Sequence, residues 1–178
     1  MKKIVLVYGL IAGFIVTAMM VISIAICYRT GEFQGNMLIG YATMLLAFSL
    51  IFVGIKNYRD KYNHGLISFG KAFKIGLYIS LIASTLYVVV WLIDYYLFIP
   101  DFMDKYSAHI INEAKASGSS QLEIDKKVTE MAGFKEMYKN PLFIVLLTYA
   151  EILPVGLIVT LISALLLKRK TGGQMQMA

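Results

Sequence analysis

Apolar and polar positions divide this chain into four long hydrophobic runs joined by polar segments. Positions 4–28 and 37–55 carry no charged residue, 75–99 carry one (Asp94), and 141–167 carry one (Glu151). About 20 consecutive apolar residues in helical form cross a hydrocarbon core of about 30 Å. Inside that core a backbone must satisfy its own polar groups, and a single apolar segment does so only as a helix. The pattern predicts an all-α fold, a polytopic membrane protein forming one membrane domain with transmembrane helices over 4–28, 37–55, 75–99 and 141–167. The first run has the basic start of a signal peptide (Lys2, Lys3), but its apolar stretch exceeds the usual length of about 7–15 residues. Ile24, Ala25 and Ile26 also lack the small residue expected before a lipid-modified cysteine at Cys27. A retained first helix is the expectation.

The segment 100–140 reads differently. Phe102, Tyr106, Ile110 and Ala114 recur at spacing four over 101–116, the mark of one helical face. Gly118, Ser119 and Ser120 interrupt it. Ser120 with Glu123 has the capping-box spacing that starts a helix, and Leu122, Val128, Met131 and Tyr138 offer that helix an apolar face. Asn140 and Pro141 mark the entry to the last span, since proline is tolerated at a first helical position. The segment predicts a helical hairpin between the third and fourth spans, docked on the bundle or on headgroups because two short amphipathic helices do not float free. The connection 56–74 is basic and aromatic and is expected to be an interfacial cytoplasmic turn; its sharper reading is a binding surface for anionic lipid headgroups.

Composition agrees with lipid as the main surface partner. Of 178 residues, 58% are hydrophobic and 16% are charged, whereas a soluble domain carries about 25% charge. A net charge of +6 would suggest nucleic acid in a soluble protein. Here the basic residues flank apolar runs, and anchoring accounts for them without a nucleic acid. Lys2, Lys3, the five of 56–74, and Lys168, Arg169 and Lys170 put ten basic residues on one side. The other side has Arg29 and six basic residues in 100–140, matched there by seven acidic ones. Flanking charges set orientation, so both termini are expected in the cytoplasm and the hairpin outside. One cysteine, Cys27, permits no intrachain disulfide, and His64 and His109 stand alone, so no metal-ligand set and no cofactor are expected.

Asp94 and Glu151 are the two acidic residues within the runs. Charge in a bilayer is costly, so such residues face the bundle interior and often mark a function. Asp94 lies six residues before Pro100, about 9 Å from that end of its helix at 1.5 Å per residue. Glu151 lies ten residues after Pro141, about 15 Å in by the same rise. Antiparallel spans let the two approach. No Lys, Arg or His shares a span with either, so the neutral acid, hydrogen-bonded to hydroxyls or carbonyls, is the bland reading of both. Thr148 is one turn before Glu151, and Pro154 frees the carbonyl of Ala150 to accept. Tyr87, Trp91, Tyr95, Tyr96 and Tyr149 add polar tips. Glu151, Asp94, Thr148 and Pro154 are thus the candidate intramembrane site, a proton or cation site in its sharper form. For Asp94 the bland form is an interfacial position beside the aromatic belt. Broken helices recur at transporter sites, although one proline in a membrane helix is common. Gly9 and Gly13 form a GxxxG pair suited to close helix packing. Phosphate-loop, Ser-His-Asp, HExxH and GxGxxG patterns are absent from the sequence, and no catalytic residue is assigned.

The opening KKIVLVYGLIAGFIV, the string GLISFGKAFKIGL and the ending MYKNPLFIVLLTYAEILPVGLIVTLISALLLKRK resemble domain-of-unknown-function family 4199, small bacterial membrane proteins with four helices. The resemblance covers nearly the whole chain. NPLF (140–143) and EILPVGLI (151–158) are its most specific parts. It implies a bacterial inner-membrane location and carries over no activity. Three functional readings follow from the residues. The first is a non-enzymatic membrane component or accessory subunit with a membrane-protein partner. The second is a small transporter or channel using Glu151. The third is a lipid-modifying enzyme, for which no reactive cluster is found. Four helices leave little room for an enclosed pathway, so transport would call for a homo-oligomer or larger complex.

Overall fold

A computed structural model describes residues 1–33 and 37–169 and is all-helical. Lys170, the last of the tail's basic trio, and part of the connection 29–36 lie outside the described residues. Six α-helices follow in order: α1 Lys2–Thr30, α2 Met37–Tyr62, α3 Phe69–Ile93, α4 Phe102–Ala116, α5 Gln121–Met137 and α6 Pro141–Leu167. A π-helical turn, Asp94–Phe98, extends α3. Four of these helices (α1, α2, α3 with its π turn, and α6) are long and apolar enough to cross a membrane.

The helices outrun the apolar runs that announced them. Lys56, Arg59 and Lys61 belong to α2, and Lys71 and Lys74 to α3, so the connection expected over 56–74 shrinks to 63–68. Long basic side chains let a helix continue past the apolar stretch because their charged ends reach away from it. The short turn is made by Asn63 to Gly65, with Gly65 at φ 76°. Ser68 then caps α3 by accepting from the Lys71 amide.

Contacts fix the direction of each helix. Asn57 donates to the Tyr8 hydroxyl at 2.9 Å, so the start of α1 meets the end of α2. Ile67 and Arg169 exchange backbone hydrogen bonds of 3.0 and 2.8 Å, which sets the α2–α3 turn beside the end of α6. Tyr28 donates to Asp101 at 2.8 Å, joining the end of α1 to the start of α4. One end of the bundle therefore gathers Lys2, Lys3, the turn 63–68, Lys168 and Arg169; the other carries the α4–α5 hairpin. In cross-section α3 packs along both α1 and α6, α2 closes the ring between them, and α1 and α6 stand diagonally apart without extensive contact.

The termini half is solid. Phe48, Ile51, Ile55, Ile75 and Ile79 are fully buried. A Cβ built on Gly76 would meet Thr160 at 2.7 Å, and one on Gly156 would meet Ser80 at 2.9 Å. The Ser80 and Thr160 hydroxyls are 3.1 Å apart and Ser80 donates to the Gly76 carbonyl at 3.0 Å. Small residues that bring backbones together, with hydroxyls bonded across the seam, are the standard membrane-helix contact. Gly9 and Gly13 face α3 in the same manner: added Cβ atoms would meet Ile82 at 2.9 Å and Leu86 at 3.0 Å.

The hairpin docks through aromatic rings. Phe102 and Tyr106 of α4 stack at 5.9 Å, and Phe102 meets Trp91 edge-on at 5.2 Å. Tyr138, at the end of α5, meets Tyr95 and Phe143 edge-on. Ser120 and Glu123 form the capping box, Gly118 turns the hairpin at φ 75°, and Asn140 caps α6 by accepting from Leu142. The apolar face expected for α5 needs correcting. Leu122 and Val128 point away from the bundle, Leu122 being 80% exposed; Tyr138 docks as expected, joined by Phe134. The aromatic residues offer far more contact area to the rings already lining this end.

Candidate functional site

Helices α1 and α6 stand diagonally apart, and the hairpin half holds space among the described residues. Two cavities occupy it, of about 310 Å³ and about 170 Å³. Both are bordered by Met20 and Ile24 of α1, Tyr87 of α3 and Glu151 of α6. Glu151 is the one acidic side chain on either wall. It is exposed rather than buried, and it borders both cavities. Among the described residues its carboxyl makes no hydrogen bond and no ion pair.

The larger cavity runs toward the hairpin. Its walls include Trp91 of α3, Phe102 and Tyr106 of α4, Tyr138, and Thr148 of α6. Tyr87, Trp91 and Tyr138 are each only 8% exposed, so these rings are wall rather than surface. The Tyr138 phenol is pushed up to about 12, first by burial and then by the neighbouring charge of Glu151. The smaller cavity runs between α1 and α2, walled by Val16, Met19, Ile39 and Met44 with Ser23 and Thr43. Met19 and Ile39 are 40% and 55% exposed on the bundle exterior, so this cavity opens sideways.

The four candidate positions separate on the structure. Thr148 joins Glu151 on the larger cavity, but its hydroxyl donates to the Ile144 carbonyl at 2.7 Å. Asp94 lies outside both cavities, in the π turn, within electrostatic range of Tyr28. The antiparallel approach to Glu151 is not used. Pro154 sits within a continuous α6, which is not a broken helix, and no bond from Glu151 to a freed carbonyl occurs among the described residues. Tyr87 and Trp91 face the cavity. Tyr149 instead pairs with Thr85 at 2.8 Å. Sequence reasoning missed Met20, Ile24 and Tyr138 as site residues. Phe102 and Tyr106 were visible as a stripe, but which helix they face is a tertiary fact.

What the arrangement can do is limited by what lines it. Among the described residues the walls hold no basic side chain and no thiol, and no group of three metal-ligating side chains occurs. A lone carboxylate among rings and methyl groups can hold a proton or a cation.

A family model described as "Protein of unknown function (DUF4199)" matches residues 7–169. The chain belongs to that family. The match takes in all four long helices, the hairpin and every residue of the two cavities. No curated protein matches the chain, and no solved structure does.

Proposed function

We propose that this member of the family is a non-enzymatic protein of the bacterial cytoplasmic membrane, in which Glu151 is a proton or cation site serving transport. One observation carries the reading: the carboxyl of Glu151 is unpaired and borders two cavities in the bundle. An unpaired charge in apolar surroundings is costly, and a void beside it leaves room for what neutralises it. The orientation has both termini cytoplasmic and the hairpin outside, supported by the cluster of Lys and Arg at the termini end. The site then lies in the outer half of the membrane, and a homo-oligomer or a larger complex completes the pathway.

The test is flux into liposomes. Wild type carries protons or monovalent cations and Glu151→Gln does not, while its helical content and thermal unfolding stay unchanged. Flux that survives the substitution, or a wild type with none, overturns the reading. A topology reporter inserted at Ser119 reads outside and one fused after Arg169 reads cytoplasmic; the reverse pattern overturns the orientation.

One observation favours a second reading, an accessory subunit. Helix α5 has no buried residue and holds Leu122 and Val128 outward, so a membrane-protein partner can cover it. Capture from the native membrane in mild detergent tests this: a stoichiometric partner lost on Leu122→Glu supports it, and a clean homo-oligomer overturns it.

A further inference from the structure

We infer that the cation held at Glu151 is an organic ammonium carrying an apolar chain, its ammonium caged by the aromatic walls of the larger cavity and its chain in the smaller one. The inference rests on Glu151 being the cation site and names what that site selects.

The walls make the selection. Tyr87, Trp91, Phe102, Tyr106 and Tyr138 surround the space that Glu151 borders. Ring faces attract ammonium ions, tryptophan most strongly, and the attraction grows when the ion is desolvated. A compact metal cation wants a different shell. Calcium takes six to eight oxygens and magnesium a near-octahedral set. Here Glu151 is the single carboxylate, and Thr148 adds one hydroxyl oxygen beside the phenols of the walls, short of such a shell. A proton needs no cavity at all. The larger cavity, about 310 Å³, is at the lower end of the sizes that hold small molecules, roughly 300–1,000 Å³.

The second cavity supplies the other half of the ligand. It meets the first at Met20, Ile24, Tyr87 and Glu151. From there it passes between methionine and aliphatic side chains to the exterior at Met19 and Ile39. In a bilayer that exterior is hydrocarbon. An alkyl chain lying in this slot stays in an apolar medium along its length, while its charged end reaches the only carboxylate on the walls. The ligand is an amphiphile entering sideways. Its ammonium can belong to a lipid headgroup or to a free long-chain amine, which share this chemistry.

Trp91 is the only tryptophan in the chain and lines the larger cavity, so intrinsic fluorescence reads the site directly. The experiment titrates the full chain in maltoside micelles with dodecyltrimethylammonium. A second titration uses its neutral isostere, the same chain ending in a tert-butyl group. The expected result is a saturable change in Trp91 emission with the ammonium, at least tenfold weaker with the isostere and at least tenfold weaker with Glu151→Gln. Equal response to ammonium and isostere overturns the inference, as does an unchanged Glu151→Gln or no saturable change. The isostere comparison uses wild type alone, so it stands even if the variant does not fold. Phosphatidylethanolamine that displaces the probe, where phosphatidylglycerol does not, identifies a lipid headgroup; no displacement by either identifies a free amine. Loss of cation flux in Glu151→Gln without ammonium binding overturns this ligand class and leaves the transport reading standing. Ammonium binding without flux does the opposite.

Discussion

The two halves of the bundle are built from the same four helices and pack in opposite ways. Toward the termini, Gly76 and Gly156 bring α3 and α6 together until Thr160 and Ser80 fill the seam, and Phe48 and Ile51 are fully buried. Toward the hairpin the same helices carry Tyr87, Trp91 and Glu151 and enclose cavities. In lipid the apolar side chains gain nothing by leaving the solvent, so association depends on contact and hydrogen bonds. Where small residues permit contact, the structure is solid. Where large rings and a carboxylate line the facing helices, there is space.

The sharpest way to break this comparison is to overfill the solid half. Gly76→Val puts atoms where Thr160 and Ile51 already stand, at 2.7 and 3.0 Å from the first added carbon. Overpacking of this kind costs about 3 kcal/mol, read as a fall in thermal unfolding temperature in detergent. Gly40 is the matching position on the smaller cavity, where an added Cβ meets nothing within 4 Å. Gly40→Ala should leave stability unchanged or slightly raised, as a helical Gly→Ala does by roughly 0.5–1 kcal/mol. Equal losses at both positions would remove the distinction between the halves.

A smaller effect tests how the hairpin closes the loose half. Tyr28 donates to Asp101 at 2.8 Å, Lys105 pairs with Asp101 at 2.7 Å, and its ammonium lies 4.2 Å from the Tyr28 ring centroid. Tyr28→Phe keeps the ring and removes one partly exposed hydrogen bond, worth about 1 kcal/mol. Faster protease cleavage within 100–140, with unfolding of the four long helices unchanged, is the expected readout. Cleavage at the wild-type rate would mean the aromatic contacts alone hold the hairpin.

The long helices were legible because charge-free runs of that length have few alternatives. The hairpin was legible from its own punctuation: Gly118, the Ser120–Glu123 capping box, and Asn140 with Pro141. Glu151 was legible as an anomaly, a carboxylate in an apolar run. Its setting was not. That α1 and α6 stand apart follows from where Gly76, Gly156, Gly9 and Gly13 allow close approach, which depends on the residues facing them. That Tyr138 rather than Leu122 docks is likewise a matter of the opposing surface, since both read as apolar positions along α5. Asp94 illustrates the same limit from the other side. Its depth along α3 allowed an approach to Glu151, but the structure sets it in the π turn, outside both cavities.

The least effect expected is on pH dependence, and its sign follows from Asp101. Hydrogen bonds from Lys105 and then Tyr28 hold its carboxyl below the ordinary value of 3.8. A group whose value is lowered by folding binds protons more readily when unfolded or undocked. Its contribution is complete above about 3.8 and is lost as pH falls through the lowered folded value. Trp91 emission, which reports the hairpin through Phe102, should therefore carry an Asp101-dependent change that develops only as pH falls below about 3.8. Glu123, lowered by the Ser120 backbone and hydroxyl, titrates in the same acid range and weakens α5 from its other end. The two separate by substitution: Asp101→Asn should remove only the part of the acid transition that reaches Trp91. Because Asp101 is exposed, high salt should shrink that part further. An acid transition at Trp91 that is the same in Asp101→Asn and in wild type would show that the Tyr28–Asp101–Lys105 contact does not couple the hairpin to the cavity it covers.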